Sequence, residues 1–364
     1  MFENIYHDRR VLVTGHTGFK GSWLSSWLLD LGATVAGFST NVPTKPSHFE
    51  VLRLTDRIEH FEGDVRNKGS LQKAIDKFYP EIVFHFAAQS LVRKSYEDPA
   101  LTFETNSTGT LNLLECLRNQ PSVKAAVLIT SDKCYENVEW LWGYRENDRL
   151  GGKDPYSASK ACAELISRVY MESFFKKNGP NIATARAGNV IGGGDWASDR
   201  IVPDCVRAWS EKKPIITRSP KATRPWQHVL EPLSGYLTLG QKLFSGNSVC
   251  KNQSFNFGPQ EKINQSVGDL ITEMTQYWPG AESKIQQDVD CSKSESTLLK
   301  LNCEKSHQLL QWRAILDFSE TVRMTGEWYQ SFYNEKQTSV IETTSGQIQE
   351  YAEKATRSNL AWTQ

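Results

Sequence analysis

Short apolar runs alternate with longer segments of helical period through the first half of the chain. The runs predict strands, and the segments between them predict helices with one apolar face. Strands are expected at 10–14, 34–38, 58–62, 80–86, 125–130 and 182–186, and helices at 19–31, 70–77, 101–119 and 155–177. Because helices of this length connect successive strands, the strands must pair in parallel through crossovers. The pattern predicts an α/β fold built on a doubly wound parallel sheet.

After residue 188 this alternation ends. Glycines and prolines interrupt residues 192–225, and helical segments are expected at 203–211, 230–244, 267–277 and 321–332. We expect residues 1–188 to form a first domain that carries the chemistry. Residues 189–336 should form mainly a smaller, mixed α/β substrate-binding lobe whose chain returns to the first domain. Residues 337–364 read as a polar, loosely packed tail.

The composition excludes several classes of protein. Hydrophobic residues make up 39% and charged residues 23% of the 364 residues, which argues against disorder and coiled coil. The 42 basic and 42 acidic residues cancel, whereas nucleic-acid binders usually carry a basic excess. No apolar run approaches the roughly 20 residues that span a bilayer, and the N-terminus resembles no secretion leader. We expect a soluble, cytoplasmic protein that binds neither nucleic acid nor membrane.

The cysteines and histidines do not indicate a metal site. The seven cysteines are scattered, odd in number and never paired as CxxC, and the seven histidines are equally dispersed. A disulfide framework or a zinc site would need paired spacing. We therefore expect reduced cysteines and no bound metal.

A glycine-rich turn follows the first strand. Gly15, Gly18 and Gly21 are spaced GxxGxxG between a strand and a helix. Such glycines allow a tight turn and close backbone approach, so that a pyrophosphate can lie on the helix N-terminus. Lys20 would add a charge near the phosphates or be a solvated surface lysine. The turn predicts dinucleotide binding, with a purely structural glycine turn as the alternative.

The choice between NAD and NADP is left open by the second strand. Residues 37–41 (GFSTN) lack both the acidic residue that would hold a ribose and an arginine that would attract a 2′-phosphate. Asp64, after the third strand, is placed to accept a hydrogen bond from adenine, or it is an ordinary turn residue.

A second motif begins the long helix after the fifth strand. Pro155 suits a first helical position, and Tyr156 and Lys160 lie four residues apart on one face. A neighbouring ammonium stabilises a phenolate, which creates an acid or base for a substrate hydroxyl near neutral pH. A surface pair is the alternative, but the position after a glycine-rich turn and a strand ending at Thr130 and Ser131 favours the chemical interpretation.

Together with these motifs, three further segments carry a family resemblance. The segments TGHTGFKGSW, HFAAQSLV, TSDKCY, YSASK and RAGNVIGGGDW resemble the extended short-chain dehydrogenase/reductase family, in its NAD-dependent epimerase and dehydratase group. The resemblance covers residues 8–335. It implies that residues 1–188 are an NAD-binding Rossmann domain and that the substrate is a nucleotide sugar.

The resemblance also assigns roles to individual residues. The implied cofactor-binding residues are Gly15, Gly18, Phe19, Lys20, Gly21, Asp64, Val65, Phe86, Ala87, Ala88, Gln89, Thr130, Tyr156 and Lys160. The implied catalytic residues are Ser131, Asp132, Lys133, Tyr156 and Lys160. Asn189, Arg200 and Arg224 are implied to bind the phosphates or the nucleotide, where arginine forks suit phosphate oxygens, although each arginine could instead form a surface salt bridge.

The activity implied by the resemblance is an internal redox dehydration in deoxysugar biosynthesis. Tyr156 takes the proton of the sugar 4-hydroxyl as hydride passes from carbon 4 to NAD+. The resulting ketone acidifies carbon 5, whose proton Lys133 takes, and Asp132 protonates the hydroxyl that leaves carbon 6. Hydride then returns to carbon 6, which gives a 4-keto-6-deoxy sugar.

Other activities remain open at this point. The Asp132-Lys133 pair resembles enzymes that act on CDP-glucose, and it also occurs in inverting dehydratases of UDP-N-acetylglucosamine. A sugar-nucleotide 4-epimerase would share Tyr156 and Lys160 but need no acid at position 132. A non-enzymatic Rossmann redox sensor is a third reading. We also expect a homodimer or a dimer of dimers that uses helices 101–119 and 155–177, because both carry more apolar residues than one sheet-facing stripe requires.

Overall fold

The computed structural model of the chain describes residues 1–217, 220–260, 265–285, 298–333 and 339–364. The strands are β1 (Arg10–Thr14), β2 (Thr34–Ser39), β3 (Glu59–Glu62), β4 (Ile82–His85), β5 (Ala125–Ile129), β6 (Asn181–Ala187), β7 (Val190–Ile191), β8 (Ile215–Thr217), β9 (Thr223–Arg224), β10 (Gln227–His228), β11 (Gln253–Phe257), β12 (Gln265–Ser266) and β13 (Ser283–Ile285). The helices are α1 (Phe19–Asp30), α2 (His48–Val51), α3 (Lys68–Phe78), α4 (Val92–Glu97), α5 (Pro99–Phe103), α6 (Gly109–Arg118), α7 (Pro155–Ser173), α8 (Ile201–Ser210), α9 (Leu230–Phe244), α10 (Val267–Thr275), α11 (Glu304–Leu310), α12 (Phe318–Tyr333) and α13 (Val340–Arg357).

Within the described residues, seven strands form one parallel sheet in the order β11-β6-β5-β4-β1-β2-β3. The predicted α/β fold with a doubly wound sheet is confirmed. The strand order reverses between β1 and β4, and the two helices that follow these strands cover opposite faces. Ligands of such sheets bind in the crevice at the carboxyl ends of the strands beside this reversal. The sheet therefore opens its binding crevice beside the glycine-rich turn and the end of β5.

The predicted helix at 101–119 is divided into two. Helices α5 and α6 are joined by a π-helical turn at Glu104–Thr108. The side chain of Asn106 in this turn binds the backbone of Gln89, at 2.9 Å from the Gln89 nitrogen and 3.0 Å from its oxygen. The turn thus carries a polar contact to the loop after β4, which a hydrophobic pattern does not reveal.

The second half of the chain contributes to both parts of the molecule. Strand β11 completes the large sheet beside β6, and α9 packs on β5 and β6. The remaining short strands form two-stranded pairs, β7 with β10, β8 with β13 and β9 with β12. Strand β11 has no counterpart among the predicted strands, and the expected division into two domains stays a prediction.

The C-terminal residues are well packed, so the prediction of a loosely packed tail from residue 337 is wrong; residues 334–338, where that boundary falls, lie outside the described part. Helix α13 buries one face, which includes Tyr351, against α1 and α12. The Trp362 ring stacks on Phe2 with ring centroids 5.0 Å apart. Charged residues on the opposite face make the segment polar on average, which hides its apolar stripe.

Among the described residues, every helix is too short or too polar to cross a bilayer. The same residues bring together no group of three His, Cys, Asp or Glu side chains that could hold a metal ion.

Candidate active site

The residues at the end of β5 meet the first turn of α7. Asp154 caps this helix, since its side chain accepts a hydrogen bond from the Ser157 nitrogen at 2.9 Å, and Pro155 occupies the first turn. This start places Tyr156 in the crevice, where its hydroxyl bonds Ser131. Burial raises the pKa of Tyr156 to about 12, and the Ser131 hydrogen bond opposes that rise. Ionisation of Tyr156 at neutral pH therefore requires additional positive charge in the crevice.

Lys160 supplies a cation from the next turn of the same helix. Its Nζ donates to the carbonyl oxygen of Ile129 at 3.3 Å, which ties α7 to the end of β5. Burial lowers the pKa of Lys160 to about 8, and the charge of Glu164 opposes this effect. Tyr156 and Lys160 are thus both buried on α7, and their pairing in the reaction stays a prediction.

Asp132 is held in the same crevice by a glycine. The carboxylate is buried, accepts from Ser131 Oγ at 3.0 Å and lies against the backbone of Gly188. A Cβ at Gly188 would lie 1.9 Å from Asp132 Oδ2, so this position must be glycine for the carboxylate to occupy its place. Lys133 is half-buried in the same turn, and its backbone nitrogen donates a hydrogen bond to Ser131 Oγ at 3.2 Å.

The glycines of the turn after β1 allow a close approach of the backbone. Gly15 has φ +74°, and a Cβ there would lie 2.6 Å from the Ala87 nitrogen; a Cβ at Gly21 would lie 2.3 Å from the Gly15 oxygen. Helix α1 begins after Gly18 with no side-chain cap on its first N–H groups. These uncapped N–H groups and the helix dipole suit a phosphate, so the turn fits a dinucleotide.

Lys20 reaches across the crevice toward the second half of the chain. Its Nζ donates to the Tyr236 hydroxyl at 3.1 Å, on helix α9. Burial, together with the charges of Lys160 and Arg200, lowers the pKa of Lys20 to about 7. The side chain therefore lies among the catalytic charges, and its predicted role at the pyrophosphate stays a prediction.

The other predicted cofactor residues line the ends of β1, β3, β4 and β5. Phe86 packs edge-on against Tyr236, Val65 and Thr130 are buried, and Phe19, Ala87, Ala88 and Gln89 are half-buried.

Asp64 lies at the same edge of the sheet, in a salt bridge. Arg66 donates to Asp64 Oδ2 from Nη2 at 2.7 Å and from its backbone nitrogen to Oδ1 at 2.8 Å. These bonds hold the pKa of Asp64 below its usual value. If Asp64 contacts adenine as predicted, its carboxylate oxygens must accept hydrogen bonds from adenine and from Arg66.

The predicted substrate residues lie on the far side of the crevice. Arg200 donates to Asp195 at 2.8 Å and to Ser90 at 3.3 Å, and its charge acts on Tyr156. Asn189 adopts φ +54° between β6 and β7, and Arg224 lies half-buried in β9. Arg200 thus forms a salt bridge with Asp195, and its binding of phosphate stays a prediction.

A buried ion pair under α7 was not predicted from the sequence. Glu164 accepts from Arg186 Nη2 at 2.6 Å, and the side chains are 2% and 3% exposed. Glu164 lies four residues after Lys160, as Lys160 lies four residues after Tyr156, so all three share one face of α7. This spacing could have identified Glu164 from the sequence. Arg186 could not have been assigned to it, because β6 meets α7 only in the folded chain.

Comparisons with known proteins agree with this architecture. The family model described as GDP-mannose 4,6 dehydratase matches residues 12–325. The chain is 46% identical to CDP-glucose 4,6-dehydratase of Salmonella typhimurium over 335 residues, which cover 91% of this chain and 93% of that relative.

Solved structures show the same fold. UDP-glucose 4-epimerase of Thermus thermophilus, solved in complex with NAD, is 26% identical with a TM-score of 0.75, over 88% of this chain and 99% of that one. dTDP-glucose 4,6-dehydratase of Bacillus anthracis, also in complex with NAD, is 21% identical with a TM-score of 0.73, over 88% and 96%. With a family model that matches most of its length, this chain belongs to the GDP-mannose 4,6-dehydratase family and has the extended short-chain dehydrogenase/reductase fold.

Proposed function

We propose that this protein is an NAD-dependent dehydratase that converts CDP-glucose to CDP-4-keto-6-deoxyglucose, in deoxysugar biosynthesis of the O-antigen or lipopolysaccharide type. The observation that carries the dehydratase reaction is the buried Asp132 carboxylate beside Ser131 and Tyr156. An epimerase would need Tyr156 and Lys160 but no acid at this position. The choice of CDP-glucose is supported by the relative from Salmonella typhimurium, named for that substrate.

The proposed cofactor is NAD, and the glycine-rich turn fits it. Gly15, Gly18 and Gly21 would hold the pyrophosphate, and the uncapped N–H groups of α1 would bind its oxygens. The solved relative from Thermus thermophilus is a complex with NAD. When bound, the cofactor would accept the hydrogen of sugar carbon 4 and return it to carbon 6.

The residues of the crevice would manage the protons. Tyr156 would take the proton of the 4-hydroxyl, with Ser131 as its hydrogen-bond partner and Lys160 as the cation that favours the phenolate. A ketone at carbon 4 acidifies the carbon 5 proton, which Lys133 would remove and would return to carbon 5 when carbon 6 receives hydride. Asp132 would give a proton to the hydroxyl that leaves carbon 6, so that the group departs as water.

Substrate binding would use the opposite side of the crevice. Arg200, Asn189 and Arg224 are proposed to bind the phosphates and the nucleotide. Because Asp195 already pairs with Arg200 at 2.8 Å, we expect phosphate to share this guanidinium, whose planar fork offers several donors.

One experiment separates the candidate activities. Purified protein with NAD would be incubated with CDP-glucose, UDP-glucose or UDP-N-acetylglucosamine, and each product would be identified by mass spectrometry and NMR. Loss of one water from CDP-glucose, with a ketone at carbon 4, is the expected result. A 4-epimer without water loss would overturn the dehydratase reaction, and turnover of UDP-N-acetylglucosamine alone would overturn the substrate.

We further propose a homodimer or a dimer of dimers in which α7 lies at an interface. Leu165 and Val169 on this helix are 50% and 56% exposed, and Phe174 directly after it is 43% exposed. The corresponding argument for α6 is wrong, since Leu113, Leu114 and Leu117 are buried in the chain's own core. A monomeric mass by light scattering at micromolar concentration would contradict the proposal.

The proposed compartment is the cytoplasm. The six described cysteines, all except Cys291, form no disulfide with one another, which suits a reducing environment. Cell fractionation with activity measurement in each fraction would test this.

A further inference from the structure

A buried carboxylate lies one turn beyond the proposed catalytic pair. Tyr156, Lys160 and Glu164 follow each other at intervals of four residues, so they share one face of α7. Glu164 accepts hydrogen bonds from the hydroxyls of Thr130 and, at 3.0 Å, Thr184. Thr130 is the residue directly before Ser131, so Glu164 connects α7 to the catalytic turn after β5.

Arg186 on β6 balances the negative charge of the Glu164 carboxylate. It donates from Nη2 to Glu164 Oε2 at 2.6 Å and from Nη1 to the Tyr135 hydroxyl at 2.8 Å. The charge of Arg186 holds the pKa of Glu164 below its usual value despite burial. Glu164 therefore stays ionised in the interior at neutral pH, and its negative charge acts on nearby groups that water screens poorly.

Several titratable groups surround Lys160. Glu164 lies on its own helix, Cys134 in the turn after β5, His85 on β4 and Lys20 on α1. Lys20 and His85 are basic groups that Lys160 affects, and burial disfavours charge on all three. The carboxylate of Glu164 is the group whose charge most strongly opposes the effect of burial on Lys160.

We propose that Glu164 is a positioning residue for the reaction, which keeps Lys160 protonated and holds the Ser131 turn against α7. The inference rests on the proposed function only in treating Tyr156 and Lys160 as the reacting pair. Glu164 touches neither substrate nor cofactor in this arrangement. It acts through Lys160, whose charge favours the Tyr156 phenolate, and through Thr130.

The variant Glu164→Gln keeps the shape of the side chain and removes its charge. An opposite charge within a few ångströms typically shifts a pKa by about one to three units. We therefore expect the pKa of Lys160 to fall by about one unit or more. Trace labelling with acetic anhydride between pH 6 and pH 10, with mass spectrometry of the peptide that contains Lys160, measures this pKa without any substrate.

The control is Glu146→Gln. Glu146 also interacts with Arg186 and accepts from the Asn256 nitrogen at 2.9 Å, but it is not among the groups that shift Lys160. Its replacement should leave the labelling midpoint of Lys160 unchanged. A midpoint that is equal in Glu164→Gln and in the wild type would overturn the proposal, as would an equal shift in both variants.

Two further variants keep the test decisive if Glu164→Gln does not fold. The double variant Glu164→Gln with Arg186→Met leaves no uncompensated buried charge, and such replacements are often tolerated. In the double variant the labelling midpoint of Lys160 should again fall, because Arg186 is not among the groups that shift the pKa of Lys160. Glu164→Asp, which keeps the charge, should hold the midpoint near the wild-type value while kcat decreases through the lost contact with Thr130. A wild-type midpoint in the double variant, or an equal fall in Glu164→Asp, would refute the electrostatic role.

Turnover provides the second readout. If CDP-glucose is the substrate, the alkaline limb of the kcat profile should move to lower pH in Glu164→Gln and stay in place in Glu146→Gln. Absence of turnover in the wild type would contradict the proposed function and leave the labelling result for Glu164 standing.

Discussion

Replacing Gly188 by alanine should displace the Asp132 carboxylate and slow turnover. The added methyl would lie 1.9 Å from Asp132 Oδ2 and 2.1 Å from Asp132 Cγ. Ordinary van der Waals contact needs about 3.5 Å, so the carboxylate must withdraw by about 1.5 Å. The clash involves the end of one side chain rather than the backbone, so Asp132 can turn away while the fold persists.

The displacement removes the proposed acid from its place. It breaks the 3.0 Å hydrogen bond between Ser131 Oγ and Asp132 Oδ1. A reacting group misplaced by about 1 Å costs on the order of 10² in rate, and complete loss of a general acid costs about 10² to 10⁴. We expect kcat to fall by about 10²-fold or more.

The assay is steady-state formation of the 4-keto sugar, with thermal unfolding to confirm the fold. Gly346→Ala is the matched control: its methyl, on the exposed face of α13, would have no other atom within 4 Å. This control should keep full activity. The double variant Gly188→Ala with Asp132→Asn should have a kcat only slightly below that of the slower single variant, since both substitutions act on the same carboxyl group. A Gly188→Ala enzyme with near wild-type kcat would refute the placement of Asp132 as the acid.

Four further predictions test the site and the fold. Tyr156→Phe should bind NAD almost normally in a fluorescence titration and lose about 10² to 10⁴ in turnover; unchanged turnover would contradict its role as acid or base. Gly15→Val should lose cofactor during gel filtration, since even a Cβ would meet the Ala87 nitrogen at 2.6 Å at a positive φ; normal retention would contradict the cofactor site. Lys133→Ala should stop solvent deuterium from entering sugar carbon 5, and rapid entry would show that another group is the base. Trp362→Ala should lower the free energy of unfolding by about 3–5 kcal/mol in urea denaturation because its ring is buried, whereas a loosely packed tail would give no change.

Local patterns were enough for the fold class and for the main motifs. The strand, the glycine-rich turn and α1 are adjacent in the chain, and the helical period alone places Tyr156 and Lys160 on one face. Five strands of the large sheet follow from apolar runs because parallel strands are buried on both faces, whereas the edge strand β3 is mostly exposed. The segment at 253–257, in contrast, alternates Ser, Phe and Asn, and only its pairing with β6 makes it the seventh strand.

The site's electrostatics depend on contacts between distant parts of the chain. Lys20 meets Tyr236 of α9, Asp132 lies against Gly188, and Arg186 compensates Glu164. The pKa values of these groups are set by burial and by such neighbours, which no local spacing records.

The C-terminal helix shows the same difference between what the sequence determines and what the folded chain determines. The sequence by itself determined that residues 337–364 are polar on average, which predicted a loosely packed tail. Only the tertiary structure decided that their apolar stripe is buried, because α1, α12 and the N-terminal Phe2 together provide the surface that covers it and Trp362. Propensity and spacing act between neighbours in sequence, whereas burial is a property of the whole folded chain.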